Sequence, residues 1–243
     1  MPIQKFLRLP YLPWLLLCCT VAALGILMLR PPRAVFQITN HFFPGATYFA
    51  TTDQPVMALT IDDGPDSKTT NRILDVLDRH QVTATFFIIT DRIPGNEQIL
   101  QRMLAAGHEL GNHTTADIHS IGLSTPVFEQ DLIKADAVLK TFTKPQWLRP
   151  AGGRYSQEMI SVAKKYNYQV ALGSIFPYDT NISSSWFATQ FIMANAQPGG
   201  IIVVHDSGDW GKNTAETLDQ LLPQLKQRGY KIVNLSELIA QSK

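Results

Sequence analysis

The 243-residue sequence predicts an α/β fold: a parallel sheet covered by helices and closed, or nearly closed, into a barrel behind an N-terminal membrane-length segment. Three observations predict it. From about residue 55 onward, apolar runs of strand length alternate with stretches of helical periodicity. Ionisable residues follow those runs at their C-terminal ends, and residues 9–29 carry no charge at all.

Composition narrows the possibilities before any element is placed. With 45% hydrophobic and 17% charged residues the chain is ordinary globular material, which excludes disordered and fibrous classes. The only two cysteines, Cys18 and Cys19, are adjacent inside the apolar run, so the rest of the chain has no disulfide framework, Cys-ligated zinc or catalytic thiol. Lys5, Arg8, Arg30 and Arg33 are the only charges in the first 33 residues; without them 17 basic residues face 20 acidic ones. A mildly acidic body lacks the basic face that nucleic acid requires.

The elements follow in order. Residues 1–33 are expected to be a membrane anchor, because the 21 uncharged residues from Leu9 to Leu29 would span about 31 Å as a helix, close to the ~30 Å of a bilayer core. A signal peptide cleaved after Val21-Ala22-Ala23 is the alternative. Residues 34–54 follow Pro31-Pro32 without a helical period and read as a linker and outer strand. Residues 55–243 form the main domain. Its first strand is Val56–Ile61, followed by a helix through Ile73, Leu74 and Leu77, a buried strand over 83–89 and a helix through Ile99, Met103 and Leu104. Helices at 126–140, 156–165, 185–195 and 214–227 then precede strands at 146–148, 169–172, 201–204 and 231–233.

The residues at the strand ends carry the chemistry. Asp62 and Asp63 follow the first strand, His113 follows Glu109-Leu110-Gly111, Arg149 follows Trp147-Leu148, Asp179 lies beyond Leu172, and His205 follows Val204. A βα barrel builds its active site on the rim where its strands end, so five separate segments deliver these groups to one place. Adjacent carboxylates repel, and Asp62-Asp63 is best relieved if one binds a metal ion and the other faces a cation and serves as base; the plainer alternative is a solvated Asp-Gly turn. His113 and Asp117 are four apart, a spacing that one helical turn would make a chelating pair. Their alternative is a helix cap formed by Thr114, Thr115 or Asp117. His119 would reach the same ion only from an irregular segment. Trp186 and Trp210 each suit either an acetyl-methyl pocket or ordinary burial.

These blocks together resemble the polysaccharide deacetylases of the NodB-homology type, carbohydrate esterase family 4. Thr60-Ile61-Asp62-Asp63-Gly64-Pro65 is similar to that family's T-F-D-D-G-P opening, and the remaining blocks follow in family order across about 55–243. The resemblance implies a distorted (β/α) barrel of the NodB type, with Asp62 as catalytic base and Asp63 and His113 as ligands of one divalent ion, Zn, Mn or Co. Asp117 stands where the family carries its second histidine, so the third donor is expected to be Asp117, then His119, with loss of the metal as the remaining option. Leu148-Arg149-Pro150-Ala151-Gly152-Gly153 resembles the R-x-P-aromatic-G block; Arg149 would pair with Asp62, and the Gly152 N–H would hold the oxyanion although the aromatic side chain is missing. His205 would protonate the leaving amine with Asp179 behind it.

The expected function is removal of N-acetyl groups from an amino-sugar glycan such as peptidoglycan, a chitin-like chain or poly-N-acetylglucosamine. The expected setting is the outer side of a plasma or inner membrane, with the N-terminal helix in the lipid bilayer. The rivals are an O-acetyl esterase on a polysaccharide and a non-catalytic, membrane-tethered glycan-binding module.

Overall fold

The computed structural model describes residues 30–242, together with residues 14, 15, 17–21 and 25. The expected span at 9–29 lies mostly outside the described residues; among those described, no helix is long and apolar enough to cross a membrane.

After a first helix α1 (Arg33–Phe42) and a short strand β1 (Ala46–Thr47), strands and helices alternate to the end. They run β2 (Val56–Gly64), α2 (Thr70–His80), β3 (Thr85–Ile88), α3 (Glu97–Ala105), β4 (Glu109–Asn112), α4 (Thr125–Leu139), β5 (Trp147–Leu148), α5 (Gln157–Lys165) and β6 (Gln169–Ala171). There follow α6 (Ser185–Asn195), β7 (Ile201–His205), α7 (Gly208–Gln227), β8 (Lys231–Val233) and α8 (Leu235–Ala240).

Helix α1 corrects the expectation of a non-helical linker. Its apolar stripe, Val35, Ile38 and Phe42 at helical spacing, is exposed, whereas its less exposed residues are Arg33, Phe36 and Thr39, and none is fully buried. Two aromatic contacts tie it to the strand that follows. The Phe36 ring lies 5.7 Å from that of Tyr48, and the Arg33 guanidinium sits 5.3 Å from the centre of Phe49.

The strands lie in the order β1-β6-β5-β4-β3-β2-β7, every pairing parallel, and β8 pairs with the start of β2. The segment beyond β6 closes the ring: Ile175 bridges to Ile202 in parallel, its N–H donating to the Ile201 carbonyl at 3.1 Å while the Val203 N–H donates to the Ile175 carbonyl at 3.0 Å. The result is the distorted, parallel barrel that strand and helix alternation leads one to expect.

Side-chain alternation along β2 explains how the barrel carries a site. Met57, Leu59 and Ile61 join the large apolar layer beneath α2, α3, α6 and α7. Ala58 points the other way, into an interior cluster with Phe87, Trp147, Ala171, Ile201 and Val233, closed by Leu235 and Leu238 of α8. With the period of two in a strand, Thr60 and Asp62 share that interior face with Ala58. One strand therefore packs the helices on one side and supplies polar groups to the barrel mouth on the other.

Candidate active site

At the C-terminal mouth a cleft of about 440 Å³ is lined by residues that include Asp62, Asp63, His113, Asp117, His119, Arg149, Gly152, His205 and Trp210. The structure thus brings the rim residues expected from the sequence together, Asp179 joining them through His205.

Arg149 anchors the cleft floor. Its side chain is 2% exposed; Nη1 donates to Asp62 Oδ1 at 2.5 Å and to Thr60 Oγ1 at 2.9 Å, while Nε donates to the Ala171 carbonyl at 2.9 Å. The guanidinium also lies 4.1 Å from the centre of the Phe87 ring. A charge this deeply buried persists only when paired, and three strands supply its partners, β2 through Thr60 and Asp62, β6 through Ala171 and β3 through the Phe87 ring, while Nη2 is buried without a hydrogen-bond partner.

Asp63 occupies a left-handed backbone conformation, φ 72°, which is uncommon for a residue other than glycine. This twist sends two successive carboxylates in different directions, Asp62 to Arg149 and Asp63 to His113. The His113 Nε2 lies 3.4 Å from Asp63 Oδ1 and 4.0 Å from Asp62 Oδ2, and its Nδ1 is 2.6 Å from the Arg149 carbonyl. Burial pushes the Asp63 carboxyl up, but His113, His205 and Arg92 outweigh it and hold that group below its ordinary range. Burial pulls His113 down, yet Asp62 and Asp63 raise it on balance.

That pair fits two corners of a metal site. Donors about 2.1 Å from a tetrahedral ion are roughly 3.4 Å apart, and a carbonyl on Nδ1 is the usual outer partner that turns Nε2 toward the ion. Asp117 does not join them as expected. The stretch from His113 to His119 is irregular rather than one helical turn, Thr114 having φ 70°. The Asp117 side chain is 49% exposed and lies 3.9 Å from Arg92 Nη2. Among the described residues no three His, Cys, Asp or Glu side chains gather closely enough to hold an ion.

On the opposite side, His205 Nδ1 is 3.0 Å from Asp179 Oδ2, an oxygen that also accepts from the His205 backbone N–H at 2.8 Å. Burial disfavours the imidazolium, but Asp179, with Asp62 and Asp63 behind it, lifts the histidine from 6.5 to about 9. The Trp210 ring stands 6.5 Å from His205 within the cleft, whereas Trp186 is 67% exposed and lies in a separate apolar groove. Only Trp210 is therefore placed for the methyl-pocket role.

Three further residues brace the site, Thr60 among them from the opening Thr60-Ile61-Asp62-Asp63-Gly64-Pro65 block. Arg92 Nη1 donates to the Asp63 carbonyl at 2.5 Å from the short 3-10 helix Thr90–Arg92, 29 residues further along the chain, and Thr60 receives Arg149 from inside the strand. Buried Asp206 accepts hydrogen bonds from Thr69 and Thr70 and takes its own N–H to the Asp62 carbonyl at 2.8 Å, bracing the turn behind the carboxylates.

A barrel whose mouth holds an aspartate paired with a buried arginine, an Asp-His corner and a histidine backed by a second aspartate has the groups that a hydrolase of the deacetylase class requires. The chain belongs to the polysaccharide deacetylase family, which matches residues 49–171. It is 32% identical over 196 residues to a peptidoglycan-N-acetylglucosamine deacetylase of Bacillus cereus, covering 79% of this chain and 92% of that protein. Among solved structures, the Bc1960 peptidoglycan N-acetylglucosamine deacetylase superposes with a TM-score of 0.76 at 28% identity, over 82% of this chain and 94% of the other. The Bacillus anthracis protein BA3943, described as a pseudoenzyme of carbohydrate esterase family 4, also superposes at 0.76, with 25% identity over 82% of this chain and 70% of its own.

Proposed function

We propose that this chain is a metal-dependent hydrolase that removes the acetyl group from an N-acetylated amino sugar of a cell-wall glycan, peptidoglycan being the first candidate. The observation that carries the reading is the pairing in one cleft of Asp62 on Arg149 with His205 on Asp179. A protein that only tethers glycan needs neither a base held by a buried cation nor a histidine kept charged near neutral pH. That pairing supports turnover here, the likeness to a pseudoenzyme notwithstanding.

The cleft residues divide the work. Asp63 and His113 would hold one divalent ion, and Asp117, which lines the same cleft but stands apart from that pair, is the third donor we assign. When bound, the ion polarises the scissile carbonyl and acidifies the attacking water. Asp62 takes the proton from that water with one oxygen, its other being fixed by Arg149. The Gly152 N–H receives the developing oxyanion. His205 gives its proton to the departing amine nitrogen, and Asp179 stabilises the charged imidazole until it does. Trp210 beside His205 borders the space for the acetyl methyl.

We assign the domain to the exported side of a membrane, tethered through residues 9–29, because the glycan lies outside. The test is metal content and acetate release from N-acetylglucosamine oligomers by the full chain, stripped and reloaded with Zn²⁺, Mn²⁺ or Co²⁺. Metal-dependent acetate release is expected. Its absence with every metal refutes the catalytic assignment.

A further inference from the structure

The His119 ring occupies space that a side chain at position 152 would need. A Cβ built on Gly152 would stand 2.9 Å from His119 Cδ2, 3.0 Å from Cγ and 3.3 Å from Nε2. Gly152 itself has φ 81°, a conformation that favours glycine. The two loops are locked in this relation by the Ser120 N–H, which donates to the Ala151 carbonyl at 3.0 Å. One side of the imidazole thus lies over the bare Gly152 backbone. The residue is otherwise exposed and lines the cleft that contains Asp62, Asp63 and His205.

We propose that His119 is a specificity-determining residue, the flat wall against which the sugar ring of the substrate rests, supplied from the 113–122 loop because position 152 has no side chain to supply it. The inference rests on the glycan reading above. A planar ring with one face packed and one face open presents π density to the C–H face of a pyranose, and its ring nitrogens can exchange a hydrogen bond with a sugar hydroxyl. On this reading the His119 ring holds substrate and does not ligate the ion.

The test uses the full chain with His119→Ala and His119→Phe, read by KM and kcat for N-acetylglucosamine oligomers, by metal content, and by calorimetric affinity for the same oligomers. Because the residue is exposed, both variants are expected to keep the wild-type melting temperature. His119→Ala is expected to raise KM and weaken oligomer affinity about fivefold, with kcat and metal content held, the loss of one aromatic contact; His119→Phe is expected to recover most of that loss. Loss of metal in both variants overturns the proposal and makes His119 a ligand. Unchanged KM and affinity in His119→Ala overturn it as well. If the wild type releases no acetate, the deacetylase reading fails separately, and the affinities still decide: weaker binding by His119→Ala supports the wall, while equal or absent binding overturns it.

Discussion

Replacing Asp179 by Asn isolates the charge that keeps His205 protonated. The amide is nearly isosteric and its oxygen can still accept the His205 backbone N–H, now donated at 2.8 Å, so the loop is expected to hold. What goes is the carboxylate, the largest of the influences that lift His205 from 6.5 to about 9. At pH 8 a group titrating at about 9 is roughly 90% protonated, whereas one returned to its ordinary value near 6.5 is about 3% protonated, a loss of about 30-fold in competent enzyme. At pH 6 the same change costs less than about twofold. The assay is kcat/KM for acetate release from pH 5.5 to 10. Wild type is expected to lose activity as pH rises through about 9, and the variant to lose it from about 6.5 upward. An alkaline limb that stays in place, or a uniform drop at every pH, refutes the assignment of His205 as the acid tuned by Asp179.

Three further outcomes follow from the same geometry. Arg149→Met strands the buried Asp62 carboxylate without its cation and is expected to cost about 3–5 kcal/mol in urea unfolding, together with nearly all activity; a variant as stable as wild type would show that the pair is not structural. Asp117→Ala is expected to take metal content below stoichiometric while leaving the melt of the stripped protein unchanged, because the side chain is half exposed; retention of full metal would remove Asp117 from the ligand set. Burial raises Asp206 from 3.8 to about 6, with Thr70 and Thr69 opposing, so the folded state binds its proton more tightly than the unfolded chain does. That stabilising contribution is full below 3.8 and lost as pH rises through about 6, and Asp206→Asn is expected to flatten the stability profile in this window by urea titration. An unchanged slope would show that another group sets it.

The parts that were readable in the sequence are those in which a local rule carries the information. A parallel barrel buries its strands on both faces, so Val56–Ile61 and Ile201–Val204 are continuous apolar runs, and the chemistry falls on the residue after each run. In helix α1 the helical period lies in Val35, Ile38 and Phe42, which are exposed, while the inner side mixes Arg33, Phe36 and Thr39, so the stripe does not mark a buried face as it does in the main domain. The spacing of His113 and Asp117 misled for a related reason. Four residues make one turn only inside a helix, and Asn112 Oδ1, accepting the Thr114 N–H at 2.8 Å, helps hold the chain in a left-handed bend instead. Arg92 enters through a tertiary contact, which no local pattern announces.

The substitutions at 117 and 152 become intelligible together once distances replace spacings. A site that gives up an aromatic at 152 loses a wall, and a site that exchanges a histidine for Asp117 gains negative charge at its mouth. Both losses are met by the same loop system. Arg92 bonds the Asp63 carbonyl and lies 3.9 Å from Asp117, so added acidity has a cation beside it before any ion arrives. His119 lies across Gly152, filling part of the gap. An ion held by two carboxylates and one imidazole is in a harder, more anionic setting than one held by one carboxylate and two imidazoles, which favours oxygen-preferring metals such as Mn²⁺. Reloading the stripped full chain with Mn²⁺ and Zn²⁺ in turn tests this directly. The Asp117→His variant is expected to shift the ratio of Mn²⁺- to Zn²⁺-supported activity toward Zn²⁺, and an unchanged ratio would mean that residue 117 does not touch the ion.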